Sequence, residues 1–206
     1  MAWDGTGTAV TTSTSYTTIA VVKSRLGITD TASDTALTSI IEAVSREIDN
    51  YCGRRFYAET ETNYYTAVTP TFVMTDDLVS VTSLLTDSSG DRTYASTWST
   101  SDYDLIPFNA VSRDQPYTGI EIAENGDYEF PTIRKGVKVT GSFGYCVTGS
   151  QPGPITEACN LQAQRIFKRK DAPFGVMGSA DMGTVMVIPK LDPDVKLMLD
   201  AYRRLV

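Results

Sequence analysis

The chain has 206 residues, 41% hydrophobic and 21% charged, with a formal charge of -7, enough to bury one sizeable core or one core with a satellite domain. It contains no histidine, which removes imidazole bases, imidazole zinc ligands and every catalytic triad built on imidazole. The negative balance argues against a protein that grips nucleic acid by its phosphates.

Charge is unevenly spread. Residues 57–153 hold 13 acidic and 5 basic side chains, a net of -8, while the flanking segments hold 12 acidic and 13 basic, a net of +1. Three cysteines, Cys52, Cys146 and Cys159, have no CxxC spacing and read as small buried hydrophobes. The N-terminal stretch MAWDGTGTAVTTSTSY lacks the positive and apolar regions of a secretion signal, and no apolar run reaches the roughly eighteen residues of a membrane span, so an intracellular origin is expected.

Residues 1–16 form a Thr/Ser/Gly-rich arm too polar to fold alone. In TTIAVVKSRLGI, Ile19, Val22 and Leu26 share a helical face, with Thr17 or Thr18 as cap. After an acidic loop, Asp34 is expected to cap a longer helix in which Leu37, Ile40, Ile41, Val44, Ile48 and Tyr51 recur at helical spacing; Gly53 stands where a left-handed C-cap is wanted. From about Thr60 to Tyr145 the period changes. ETNYYTAV, LVSVTSLL, YDLIP, TGIEIA and GVKVTGSFGY are short, rich in β-branched and aromatic residues, and punctuated by SSGD, ENGD and RKG. They predict an antiparallel β domain.

QPGPITEACNLQAQRIFKRK then reopens a helix with Pro154 in its first turn and Ile155, Ala158, Cys159, Gln162, Ile166 and Phe167 on one face. APFGVMGSADMG follows as a glycine-punctuated loop, TVMVIP as a short strand, and DPDVKLMLDAYRRLV as a last helix with Asp192 as N-cap and Pro193 at its first position. Helices are therefore expected near 18–27, 34–52, 154–170 and 193–204.

VVKSRLGI, the acidic loop, the helix ending in NYCGRRFY, and the later KRKDAPFGVMGSAD and LDPDVKLMLDAYRR together resemble the head-to-tail connector (adaptor) proteins of tailed double-stranded DNA bacteriophages. The resemblance covers residues 17–57 and 154–206, and the β segment carries no motif of the family. It implies an α+β fold: a small helical bundle carrying an inserted antiparallel β domain, with an extended C-terminal arm and terminal helix. The implied organisation is a flexible arm at 1–16, a connector core at 17–57 and 154–170, the β insertion at 58–153, and arm, strand and helix at 171–206.

The same resemblance implies a non-enzymatic virion protein that needs no cofactor. It would assemble in the host cytoplasm as a ring of twelve beneath the portal, at the capsid vertex and neck. There it would extend the DNA channel and dock the tail or a tail-completion protein, without a membrane and without specific DNA binding.

Within that frame Arg54 and Arg55 have two readings. They suit the negative end of the preceding helix dipole, or they pair across a ring interface with an acidic face formed by Glu42, Glu47 and Asp49. The basic helix end Arg165, Lys168, Arg169 and Lys170 meets an acidic partner, the portal being the candidate, or is a solvated terminus. The arm containing Phe174, Val185 and Val187 folds back on its own subunit or adds a strand to another chain. Tyr202 and Arg203 in the last motif complete the candidate interface.

Three other patterns have competing readings. Asp102 and Asp104 would share one face of a strand, as a metal or glycosidase pair does, or would simply be solvated at a turn edge. DSSGDR, Asp87 to Arg92, shares residues with a calcium loop but lacks the closing glutamate, so a hairpin turn is preferred. A different function, receptor or carbohydrate binding, would use Trp98, Tyr103, Tyr117 and Tyr128 as a stacking surface.

Overall fold

The computed structural model describes residues 14–124, 126–169, 176–177, 186–187 and 191–204. They divide between two compact units, one formed by residues 1–54 and 151–206 and the other by residues 55–150.

The first unit is helical: α1 (Ile19–Leu26), α2 (Asp34–Cys52), α3 (Gly153–Lys168) and α4 (Pro193–Asp200). Thr18 caps α1 through its hydroxyl, and Gly27 ends it at φ 70°, where a side chain would be strained. On α2 the buried residues Leu37, Ile41, Val44, Ile48 and Cys52 follow the helical period. They pack with Val22 of α1, with Ile155, Ala158, Cys159 and Ala163 of α3, and with Val195 and Leu199 of α4. Each of the larger aliphatic side chains contributes about 1.5–3 kcal/mol on burial.

One cap differs from expectation. Asp34 is the first helical residue rather than the cap, and the capping position, Ser33, makes no side-chain cap bond. The turn before it is closed instead by Asp30 accepting from the Ala32 N–H and by the Asp34 N–H donating to the Thr31 carbonyl. The Asp34 carboxylate is thereby released to meet Lys23 at 2.6 Å, in a first turn where negative charge suits the dipole. Asp192 does cap α4, accepting from the Asp194 N–H at 3.0 Å.

The second unit is a sheet of six strands: β1 (Glu59–Tyr65), β2 (Phe72–Thr86), β3 (Ser96–Trp98), β4 (Tyr103–Ile106), β5 (Tyr117–Ile122) and β6 (Val137–Phe143). The order is β1-β6-β2-β5-β4, with β3 also paired to β2, and every pairing is antiparallel. The sequence suggests a strand from Leu78 onward; the actual β2 begins at Phe72 and runs through register shifts between Met74 and Leu78 and between Leu78 and Ser80. Such bulges let one strand bend and change partners, here from β5 to β6.

Close backbone approach explains two glycines of β6 and its exit. A Cβ on Gly141 would overlap the Ser80 carbonyl, and one on Gly144, at φ 150°, would overlap the Tyr57 carbonyl. The core gathers Val73, Leu78, Leu84, Trp98, Ile120, Phe130, Val139 and Phe143. Trp98 stacks on Phe130 with centroids 4.5 Å apart, and its indole N–H donates to Thr86 Oγ1 at 3.0 Å.

The α+β class and the antiparallel insertion agree with the sequence reading. Two short strands, β7 (Val176–Met177) and β8 (Met186–Val187), pair antiparallel with Val176 opposite Val187. The strand expected in TVMVIP is thus present, with a partner in its own chain. Lys170, Phe174 and Val185 lie outside the described residues, and for Val187 only the backbone strand is described.

Candidate assembly surfaces

Gly53 ends α2 in the left-handed region, and its N–H donates to the Asp49 carbonyl at 2.8 Å. The chain then leaves helical geometry at the RRFY stretch. Phe56 is fully buried against Tyr145, with ring centroids 5.1 Å apart. Arg55 pairs with Glu61 at 2.7 Å and Glu59 at 3.2 Å, and lies over the Tyr57 ring at 5.5 Å. Burial, the largest single influence, lowers the Arg55 pKa, but the Glu61 hydrogen bond and charge together with Tyr57 outweigh it and the guanidinium is held above its ordinary range. Arg55 therefore has a local role within the β unit, and Arg54 is half-buried at the helix end.

The acidic face of α2 is smaller than expected. Glu42 is exposed, while Glu47 is half-buried and, five residues on, lies about 140° around the helix from it. Asp49 shares the Glu42 side of the helix but is already taken by Arg46 at 3.0 Å and by the Tyr16 hydroxyl. That contact pins the end of the N-terminal arm: Tyr16 is buried, its N–H donates to Ser45 Oγ at 3.1 Å, and Arg46 reaches the Thr14 carbonyl at 2.7 Å.

At the end of α3, Arg165 bonds Asp192 at 2.9 Å. It fixes the residue that caps α4 and is a link between helices rather than a free docking charge. Lys168 is exposed and Arg169 half-buried. Beyond α4, Tyr202 is half-buried, and exposed Arg203 lies over the Tyr51 ring at 5.3 Å. The Tyr51 hydroxyl bonds Asp200, and the Arg204 N–H donates to the Cys52 carbonyl at 2.8 Å. The structure thus brings Arg203 to the C-terminal end of α2, which no spacing in the sequence indicates.

In the β unit, Asp102 and Asp104 do not share a face. Asp102 precedes β4, is buried, and accepts the Ser99 N–H at 2.6 Å, whereas Asp104 is exposed. A short side chain that folds back on its own turn leaves the alternation of the strand. Asp87 also turns inward, accepting from the N–H groups of Ser89, Gly90 and Arg92 and from the Ser89 hydroxyl. Burial opposes its ionisation, yet those donors hold its carboxyl below the usual range. Its oxygens close the loop between β2 and β3, as the hairpin reading expects.

Trp98 and Tyr103 are buried and Tyr117 half-buried, so only Tyr128 of the proposed stacking surface is exposed, and it lies against Trp98 at 5.3 Å. Burial pushes the Cys52 thiol up to about 12 and the Cys146 and Cys159 thiols up to about 11, which keeps them protonated and unreactive at neutral pH. Among the described residues no group of three metal-ligating side chains could hold an ion, and no helix is long and apolar enough to cross a membrane.

The feature that sequence reasoning missed is a basic cluster of Arg92, Arg134, Lys135 and Lys138. Its signal was available, since these are four of the five cations between residues 57 and 153. Only the fold brings the two loops together, through Arg92 Nη1 donating to the carbonyls of Arg134 at 2.6 Å and Lys135 at 3.0 Å.

Residues 16–101 match the family model of the phage gp6-like head-tail connector protein. No curated protein sequence matches the chain. Among solved structures, a chain from the neck of an empty GTA particle computed with C6 symmetry is similar at 18% identity and TM-score 0.54, over 91% of this chain and 89% of that one. A chain from the neck of a native GTA particle computed with C12 symmetry is similar at 17% identity and TM-score 0.53, over 91% and 88%. These likenesses establish a shared fold, and the segment that spans α1, α2 and the first strands is similar to the phage gp6-like head-tail connector proteins.

Proposed function

We propose that the protein is a structural, non-enzymatic component of the neck of a tailed phage or phage-like particle. In this reading twelve copies form a ring beneath the portal, extend the DNA channel and join the capsid to the tail or to a tail-completion protein. The observation that carries it is the connector-family match over residues 16–101 on a fold shared with a neck protein of C12 symmetry. The net charge of -7 supports passage of DNA without specific binding, because each added phosphate contact would hold the duplex more tightly.

The exposed Glu42, Lys168 and Arg203 are stronger interface candidates than Arg55, Arg165 or Asp49, whose charges are engaged within the chain. A ladder of two residues per strand, as in β7 and β8, is marginal in water by itself, which supports docking of this arm on the portal or a neighbouring subunit. The burial of Trp98 and Tyr103 weighs against the carbohydrate-binding reading, since it leaves Tyr128 as the one exposed ring of its four.

Native mass spectrometry and negative-stain microscopy of the full chain, with and without portal protein, test the proposal. The expected result is a twelvefold ring seated on the portal. A chain that neither self-associates nor binds portal would overturn it.

A further inference from the structure

The β unit carries two charged surfaces, neither of them neutralised by an ion pair among the described residues. On β4 and β5, Asp104 stands directly opposite Glu121 in register, so the two side chains share one face of the sheet. The flanking pairs, Tyr103 with Ile122 and Leu105 with Ile120, send Tyr103 and Ile120 into the core on the other face. Opposed carboxylates repel, β4 is an edge strand, and among the described residues neither carboxylate makes an ion pair or side-chain hydrogen bond. In the next row Met74, 59% exposed, stands opposite Gly119.

The second surface is the cluster of Arg92, Arg134, Lys135 and Lys138. Its backbone is unusual: Arg92, Tyr94 and Lys135 lie at φ 69°, 50° and 56°, a conformation that non-glycine residues rarely adopt. All three meet at one carbonyl, since Arg92 and Tyr94 both donate to the Lys135 oxygen, at 3.0 and 2.8 Å. Lys138 Nζ lies 5.7 Å from the Tyr94 ring, and Tyr64, 46% exposed, packs against that ring at 5.5 Å. The two carboxylates of the same loop, Asp87 and Asp91, are bound to the loop's own amide and hydroxyl donors. None of the four cations forms an ion pair among the described residues.

We propose that the β units of adjacent copies meet head to tail, with the Arg92, Arg134, Lys135 and Lys138 surface of one copy against the Asp104 and Glu121 edge of the next. A second copy is the occupant because one unit displays both complementary charges, and contact between two different surfaces repeats around an axis until a ring closes. Exposed Tyr64 and Met74 supply apolar area beside the charges, and arginine with tyrosine is the composition of strong interface anchors. The contact rests on the ring reading above and assigns the insertion a part in it.

The test uses native mass spectrometry of the full chain in a dilution series, with circular dichroism to verify folding. R134E/K135E and D104K/E121K should each raise the concentration for half-assembly about tenfold or more, and the quadruple variant, with both surfaces reversed, should recover most of the loss. If both double variants assemble like wild type, this contact is overturned and the ring reading stands. If wild type stays monomeric at every concentration, alone and with portal, both fail. A cluster reversal that leaves assembly intact but weakens binding of random-sequence duplex DNA would make the cluster a phosphate surface and overturn the proposal. As an independent measurement, carbodiimide cross-linking of mixed light and 15N-labelled chains should join Lys135 or Lys138 to Asp104 or Glu121 between copies; cross-links found only elsewhere would also overturn it.

Discussion

The helical unit and the β unit use their charges in opposite ways. In the helical unit the cations are paired: Lys23 with Asp34, Arg25 with Glu157 and Arg165 with Asp192 link elements, while Arg46 with Asp49 and Lys196 with Asp200 brace single helices. In the β unit Arg55 pairs with Glu59 and Glu61, whereas Asp104, Glu121, Arg92, Arg134, Lys135 and Lys138 form no ion pair among the described residues. The first unit draws its cohesion from apolar stripes tied by polar links. The second draws it from an apolar core around the stacked Trp98, backbone pairing and close glycine contacts, which leaves the charges of Asp104, Glu121 and the basic cluster available to something outside.

The contrast can be broken most severely at the backbone. Gly144→Val should prevent soluble folding of the β unit, because a branched side chain at φ 150° would overlap the Tyr57 carbonyl; a soluble variant with native Trp98 fluorescence would show that the approach can relax. In the helical unit, Leu37→Ala, at a fully buried position, should cost about 2–5 kcal/mol in urea unfolding followed by helical circular dichroism. Loss of a link should matter less: Asp192→Ala removes the cap of α4 and the partner of Arg165, and about 0.5–2 kcal/mol of stability with them.

Acid sharpens the comparison. Asp87 and Asp91 in the β unit and Glu157 and Asp200 in the helical unit are all held below their ordinary ranges, by loop donors in the first pair and by Arg25 and Lys196 in the second. A depressed folded-state pKa means that the unfolded chain binds more protons, so stability rises with pH in that window. It should be fully present above the ordinary carboxyl range, about pH 5, and fall progressively as pH drops through the folded values. A thermal midpoint unchanged from pH 6 to pH 3 would contradict this. The smallest effect expected is that of Arg25→Gln, since the Arg25 and Glu157 side chains are each 37% exposed and an exposed pair contributes about 1 kcal/mol or less.

The two units also differ in how much the sequence discloses. Helix periodicity is local, so the stripe from Leu37 to Cys52, the glycine stop at Gly53 and the cap at Asp192 could all be read before the fold was known. Strand register is not local. Nothing in FVMTDD announces that β2 starts at Phe72, because its bulge disturbs the alternation that marks a strand, and β3 is only three residues long. The same limit applied to the candidate surfaces. Charges could be counted, but whether Arg165 was free or held by Asp192, or whether Arg92 met Lys135, depended on residues 27 and 43 positions away.

The pairing of β1 with β6 bears on how an interrupted chain can fold. Glu59 lies opposite Phe143, the Tyr145 N–H donates to the Arg55 carbonyl at 2.8 Å, and the Ala58 N–H donates to Thr148 Oγ1 at 3.1 Å. The first and last segments of the insertion are therefore held side by side by its own ladder. Closing a flexible loop costs entropy that grows only logarithmically with length, about 0.6 kcal/mol for each doubling, and here even that is reduced once the insertion has folded. For the helices on either side, residues 55–150 then behave as a short connection, so the insertion can change in size or sequence while the helical unit continues to fold around the same two chain ends.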